Sequence, residues 1–326
     1  MKKGTLNIIL KRTGYLGFLV LSVLLILEFC FRYQVIEFYG NELKGLNPNL
    51  ENSKEKKNVL IFGDSFSAHP DSYIKHLRQA IPGINFINAS IPGTGIRQHE
   101  LIFKKRIKKF KPSAVIYQFY TGNDFLDIRH PVNFKTLSLG RNLYWLLSEK
   151  LLILQYFNMR LARFISHKQT LHELHNVKYS KSSYNLRTEI YFKGDPAYLS
   201  NSILLKEDKA EIYEIWRDKF VNMQRLLPDS TLVYLLVIPH CAQTNVVYLN
   251  RMQELGGNLK DDILYPEYPL LKKMSQEIEK AELINPLPFF QQKENDGVHL
   301  YYSNDPHLNI QGSKYLGEYL INELKL

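Results

Sequence analysis

Cysteine is nearly missing: the 326 residues hold two, Cys30 and Cys241. Two thiols cannot form the disulfide framework that staples small secreted domains. One lies in an apolar stretch and the other follows a predicted strand, so no bridge between them is expected. A hydrophobic core must hold the chain instead. With 45% hydrophobic residues it can build one large domain, or one domain with an insertion. Several signatures are missing too. There is no Walker-type phosphate loop, and Gly93-Thr94-Gly95 lacks the third glycine of a dinucleotide loop. No Gly-x-Ser-x-Gly elbow occurs, since Ser65 is followed by Phe66-Ser67. His172-Glu173-Leu174-His175 spaces its histidines three apart where a zinc-protease helix needs four, so it reads as polar insertion sequence. No internal repeat is evident.

Acidic residues are outnumbered: the formal net charge is +10, with a pI near 9.3. The cations are scattered or lie on helix faces, as in Lys104-Lys105-Arg106 and Lys108-Lys109. That pattern fits a solvated face better than a nucleic-acid stripe, and no nucleic-acid partner is expected. Attraction to an anionic membrane surface or envelope polymer stays open.

The long apolar run sits at the start. Lys2, Lys3, Lys11 and Arg12 precede an apolar stretch from about Tyr15 to Phe31, followed by Arg32. A bilayer-crossing helix needs about 20 such residues. Glu28 falls near its end, where a carboxylate is tolerable. Cations on the N-terminal side favour a cytoplasmic N-terminus and an exported remainder. No small-x-small site follows the run, so an uncleaved single-pass anchor over 1–33 is favoured over a signal peptide. Residues 34–57 are polar and turn-rich and read as a linker to a domain over 58–326.

Strands and helices then alternate. Strands are expected at Val59–Phe62, Asn85–Asn88, Ala114–Phe119 and Thr231–Ile238. Helices are expected at Ser72–Ala80, Arg97–Phe110, Glu207–Leu227, Tyr268–Ala281 and Ile310–Leu324. This order implies an α/β fold with a parallel sheet covered on both faces. Residues 125–205 are too long for a connection and read as a largely helical insertion, with one helical stretch over Leu143–Ile165. The insertion is a packed cap, a substrate-binding lid, or both.

Chemistry concentrates where strands end. Val59-Leu60-Ile61-Phe62 stops at Gly63-Asp64-Ser65, placing a hydroxyl at the carboxyl edge of a buried strand. A helix starting just after it would turn its positive end toward charge forming there. After the second strand, Gly93 and Gly95 let backbone N–H groups approach a ligand oxygen closely. After the third, Thr121-Gly122-Asn123-Asp124 offers a neutral amide donor suited to an oxyanion. Before the last helix comes Asn304-Asp305-Pro306-His307-Leu308-Asn309. A carboxylate beside a histidine fixes the imidazole tautomer and frees the other ring nitrogen to take a serine proton.

Gly63-Asp64-Ser65, Gly93, Gly122-Asn123-Asp124 and the Asp305/His307 pair resemble the four signature blocks of the SGNH (GDSL) hydrolase family. The resemblance runs over about Lys57–Leu326, outside the 125–205 insertion. It implies a flavodoxin-like three-layer α/β/α sandwich. It also implies Ser65 as nucleophile, His307 as general base and acid, and Asp305 orienting it. The Ser65 and Gly93 N–H groups with the Asn123 amide would form the oxyanion hole, and no metal or organic cofactor is implied. One residue separates Asp305 from His307 where ordinary family esterases have two. That spacing is similar to the membrane-anchored, polysaccharide-acylating branches. Asp296-Gly297-Val298-His299 has the usual spacing and is the rival pair. Asp305/His307 is preferred because it abuts the last helix in a Leu-Asn-x-x-Gly context.

The expectation is an extracytoplasmic serine hydrolase that cleaves or transfers acyl groups, O-acetyl foremost, on cell-envelope carbohydrate. The alternative is a non-catalytic, membrane-tethered glycan-binding or assembly protein on the same scaffold.

Overall fold

The computed structural model describes residues 3–48, 56–165 and 178–326. The His172–His175 run and the middle of the expected linker lie outside them. Five strands form the sheet: β1 (Lys57–Phe62), β2 (Ile84–Asn88), β3 (Ala114–Tyr120), β4 (Leu232–Ile238) and β5 (Glu282–Ile284). All pairs are parallel, in the order β2-β1-β3-β4-β5. This is the flavodoxin-like winding, whose order reverses between β1 and β3 and leaves a crevice at their carboxyl ends. The runs Leu-Ile-Phe in β1 and Ala-Val-Ile-Tyr-Gln-Phe-Tyr in β3 are buried on both sides, as a sheet covered on two faces demands.

The helices are α1 (Lys3–Arg32), α2 (Gly40–Leu46), α3 (Tyr73–Ala80), α4 (Ile96–Phe110), α5 (Leu139–Lys150), α6 (Ile153–Ile165) and α7 (Leu186–Gly194). They continue with α8 (Tyr198–Leu204), α9 (Lys209–Gln224), α10 (Cys241–Thr244), α11 (Val246–Glu254), α12 (Pro269–Glu277), α13 (Leu287–Asn295) and α14 (Ile310–Glu323). α3 packs on α14, and α4 on α9. Between α9 and the sheet, Trp216 meets Phe119 edge-on at 5.1 Å and stacks on Phe220 at 5.2 Å. Each such fully buried side chain contributes roughly 1.5–3 kcal/mol by leaving water. Cys30 and Cys241 are both free thiols.

Arg12–Arg32 of α1 is long and apolar enough to cross a membrane, with mean hydropathy 2.2 over its apolar window. It has the composition of a span or of a signal sequence.

Three expectations need correction. The segment 34–57 is not wholly a tether: α2 packs Leu43 into the core beside Phe38 and Tyr39. Asn47, polar in sequence, is buried because it completes the open edge of β2. Its amide donates to the Asn88 carbonyl (2.8 Å) and its oxygen accepts the Asn88 N–H (2.8 Å). The single helical stretch Leu143–Ile165 is two helices, broken at Leu151 and Leu152. The Glu28 carboxylate accepts the N–H groups of Leu152 (3.1 Å) and Ile153 (2.8 Å), a side-chain cap that starts α6 anew. The short strand β5 was not expected; three residues with one buried side chain leave no periodic trace.

Replacing Asn47 by Ala strands a buried N–H and carbonyl on β2. The full chain in detergent should lose about 1–3 kcal/mol of unfolding free energy. An unchanged denaturant midpoint would show that Asn47 is a bystander.

Candidate active site

Ser65 owes its position to a backbone pinned on three sides. The Gly63 carbonyl accepts the Ile91 N–H (2.9 Å), joining the β1 and β2 loops. The Asp64 N–H donates to Gln118 Oε1 (3.1 Å), joining β1 to β3. A Cβ at Gly63 would stand 2.3 Å from that same Gln118 oxygen, so only glycine fits. The Phe66 N–H then folds back onto Asp64 Oδ1 (3.0 Å). The chain makes a tight turn at 65–67 and enters α3 only at Tyr73. The helix expected at Ser72–Ala80 is α3, and a turn separates its start from Ser65.

His307 arrives on a loop closed by a bridge between Tyr301 and Leu308 and by the Tyr302 N–H on the His307 carbonyl (3.1 Å). Asp305 Oδ1 accepts both the His307 N–H (2.9 Å) and the ring Nδ1–H. With the proton held at Nδ1, Nε2 is the acceptor for Ser65 Oγ, 2.7 Å away. The Phe66 ring lies along the imidazole, centroids 4.8 Å apart, and limits its rotation. Burial pulls the imidazole down, but the Asp305 carboxylate outweighs it and holds His307 above its ordinary value. Burial would raise Asp305; the facing imidazole and its hydrogen bonds hold the carboxyl below the usual range. The geometry is that of a hydroxyl whose proton can be removed by an imidazole, with a carboxylate to steady the resulting charge.

Sequence reasoning missed Asn185. Its amide donates to Asp305 Oδ2 (2.6 Å), leaving Oδ1 for the imidazole. The Asn185 N–H also bonds the Asn304 carbonyl (2.9 Å), so the insertion braces the Asp305 loop. The readable signal was local: Asn185 caps α7 by accepting the Arg187 N–H (2.9 Å). Nothing in its spacing announces Asp305.

Gly93 sits beside Ser65 and His307 on one cavity wall, with φ at +69°, a conformation that favours glycine. Asn123 is half-buried at the end of β3, next to the Asp64 carboxylate, and its side-chain oxygen lacks a partner among the described residues. The rival pair is not brought to the serine. Asp296 is exposed, and His299 turns its Nδ1 to Glu294 (3.4 Å). Two buried histidines are structural: burial pushes His99 and His240 down to about 3. His99 is spoken for by Thr94 and Tyr117, at 3.1 and 3.0 Å.

Ser65 stands between two cavities. One, of about 280 Å³, is mostly apolar, with Phe66, Ala68, Pro92, Leu308 and Ile310 in its wall. The other, of about 580 Å³, lies under the insertion and carries Tyr144, Trp145, Gln155, Asn158, Arg187 and Tyr191. The Arg187 guanidinium hangs over Gly93, 3.9 Å from where a Cβ would be. Asp127 lines the same cavity; burial and the nearby Asp64 push its carboxyl up to about 7.

A parallel doubly wound sheet with a serine–histidine–aspartate arrangement at its switch point defines the class of site. No protein-family model and no curated protein matches the chain. Solved structures with distant likeness include the acetyl xylan esterase AlAXEase, at 12% identity and TM-score 0.42, over 82% of this chain and 99% of that one. TesA is similar at 14% identity and TM-score 0.39, over 82% and 98%. A lipase/acylhydrolase from Enterococcus faecalis is similar at 13% and 0.39, over 82% and 94%.

Titrating His307 by NMR should give a pKa above that of free histidine, about 6.5. In Asp305→Asn the burial penalty loses its main compensation, and the value should fall below 6.5. A His307 pKa that is indifferent to Asp305→Asn would contradict the assigned pairing.

Proposed function

We propose that the chain is a serine hydrolase of the SGNH type that cleaves or transfers acyl groups on a carbohydrate ester, with its catalytic domain outside the membrane. The observation that carries the reading is the Ser65 Oγ to His307 Nε2 contact of 2.7 Å, backed by Asp305. An imidazole held above its ordinary pKa by the Asp305 carboxylate is a stronger base toward the Ser65 hydroxyl.

In the proposed reaction, Nε2 takes the Ser65 proton as Oγ attacks the ester carbonyl. The tetrahedral oxyanion is received by the Ser65 and Gly93 N–H groups and the Asn123 amide. The intermediate collapses, and the departing alcohol oxygen takes the proton back from His307. Water then gives a proton to Nε2 as it attacks the acyl-serine. The second intermediate collapses by breaking the Ser65 Oγ–acyl bond, His307 returning the proton to Oγ as the carboxylic acid leaves. A sugar hydroxyl entering at the same step would form a new ester instead.

The two cavities suit the two halves of such a substrate. The smaller, apolar one fits an acyl group. The larger has aromatic faces in Trp145, Tyr144 and Tyr191, with planar polar groups in Gln155, Asn158 and Arg187. That mixture suits a sugar, which presents both apolar ring faces and hydroxyls. The cell-envelope setting follows from α1, read as an uncleaved anchor, and from the one-residue spacing of Asp305 and His307.

The test is ester hydrolysis by the full chain in detergent, with and without a glycan acceptor. Ser65→Ala should lower kcat on the order of 10⁶-fold, and Asn123→Ala on the order of 10²- to 10³-fold. Equal activity of wild type and Ser65→Ala would refute the mechanism. A folded wild type that binds glycan and never turns over would return the binding-protein reading. Arg187→Ala should raise KM for an acylated sugar while leaving KM for a small aryl ester unchanged. Equal KM changes on both would remove Arg187 from the alcohol side.

A further inference from the structure

α5 is amphipathic the wrong way round for a helix that only covers a core. Leu139, Leu143, Leu146 and Leu147 recur at i, i+4, i+7 and i+8, one helical face, and all are exposed, by between 42 and 65%. Its other face buries Asn142, Trp145 and Ser148. Phe134, just before it, and Leu161 on α6 are similarly open. Apolar surface gathered on one element calls for a cover.

The anchor helix says what covers it. Glu28 and Arg32, at the end of the apolar run of α1, pair at 2.6 Å. Glu28 caps the first N–H groups of α6, and the Arg32 guanidinium bonds the Lys150 carbonyl at the end of α5 (2.6 Å). The junction of the two cap helices is thus fastened to the point where α1 leaves its apolar run. Tyr33, Val35 and Ile36 continue that run with exposed apolar side chains. Lys135 precedes the leucine face and Lys150 stands at its C-terminal end, and Glu149 is the only acidic residue between Asn133 and Ala162. Leucines on one face, cations beside them and a spanning helix at one end make the pattern of an element lying in a membrane interface.

We propose that the leucine face of α5 rests in the interface of an anionic phospholipid bilayer, so that the cavity under α5 and α6 opens at the membrane surface. Tyr144 and Trp145 on α5, and Gln155 and Asn158 on α6, line the cavity that holds Ser65. The ester is accordingly presented at the membrane surface, as part of a lipid-linked or membrane-bound glycan. This rests on reading α1 as an anchor and the Ser65 cavity as the site.

The test places an environment-sensitive fluorophore on introduced cysteines in the full chain, in a Cys30→Ala background whose remaining thiol, Cys241, is buried, reconstituted into anionic bilayers containing a quencher lipid. Positions are Leu143→Cys and Leu147→Cys on the cap, Ile26→Cys within α1, and Asp229→Cys, a fully exposed site in the loop before β4. The cap labels should shift to the blue and lose about half their emission, as expected of a face sunk roughly 5–10 Å into the interface. Asp229→Cys should be unaffected. Cap labels as unquenched as Asp229→Cys, with Ile26→Cys quenched, would overturn the cap's membrane contact while leaving the anchor. An unquenched Ile26→Cys would overturn the anchor and the proposal with it. Neither result depends on turnover, so a failed catalytic reading would be recognised separately.

Discussion

A hydroxyl and an imidazole 242 positions apart in the chain must meet within hydrogen-bond distance, and the fold is arranged around that requirement. The doubly wound order brings the carboxyl ends of β1, β2 and β3 together, so the Ser65, Gly93 and Asn123 loops are neighbours before any side chain is considered. Gln118 on β3 ties the Ser65 turn down from one side, and Ile91 from the other. The histidine loop has no strand of its own to hold it. It is closed by its own backbone bonds and braced from outside by Asn185. Asp305 thus depends on the insertion for its second oxygen. Charge-assisted bonds of this type each contribute about 1.5–3 kcal/mol, which is why a short polar contact can govern so exact a placement.

Much of this was legible in the sequence, for identifiable reasons. Val59–Phe62 is a continuous apolar run and Ala114–Phe119 one broken only by Gln118; both are too short for helices, so their strand identity and parallel pairing could be inferred. Gly63-Asp64-Ser65 and Asp305/His307 carry chemical meaning in their residue types alone, and the structure brings those two blocks into contact. The preference for Asp305/His307 over Asp296/His299 rested on context near the last helix, and His299 does point away, toward Glu294.

What escaped was carried by single polar contacts across long separations. Asn47 and Asn185 look like ordinary loop residues, since neither periodicity nor spacing reveals a partner some 40 or 120 positions away. Glu28 looked like a tolerated flaw in an apolar run. Its meaning lies in the backbone of Leu152 and Ile153, and the break between α5 and α6 was invisible without it. These contacts join separate parts of the chain: Asn47 fastens the N-terminal segment to β2, Glu28 fastens α1 to the insertion, and Asn185 fastens the insertion to the Asp305 loop. The cap is tied to α1 by Glu28 and Arg32, and to the Asp305–His307 loop by Asn185. Movement of the cap would therefore reach Asp305 through a few named bonds, and the polar cavity would change shape with it.

Covalent labelling of Ser65 by a fluorophosphonate is the most direct measurement of the central claim, because it requires the hydroxyl to be activated and nothing else of the substrate. Peptide mass analysis should find the adduct on Ser65 in the wild type, forming faster as pH rises through the His307 transition, and none in folded His307→Gln. An unlabelled wild type, or equal labelling without the imidazole, would contradict the account.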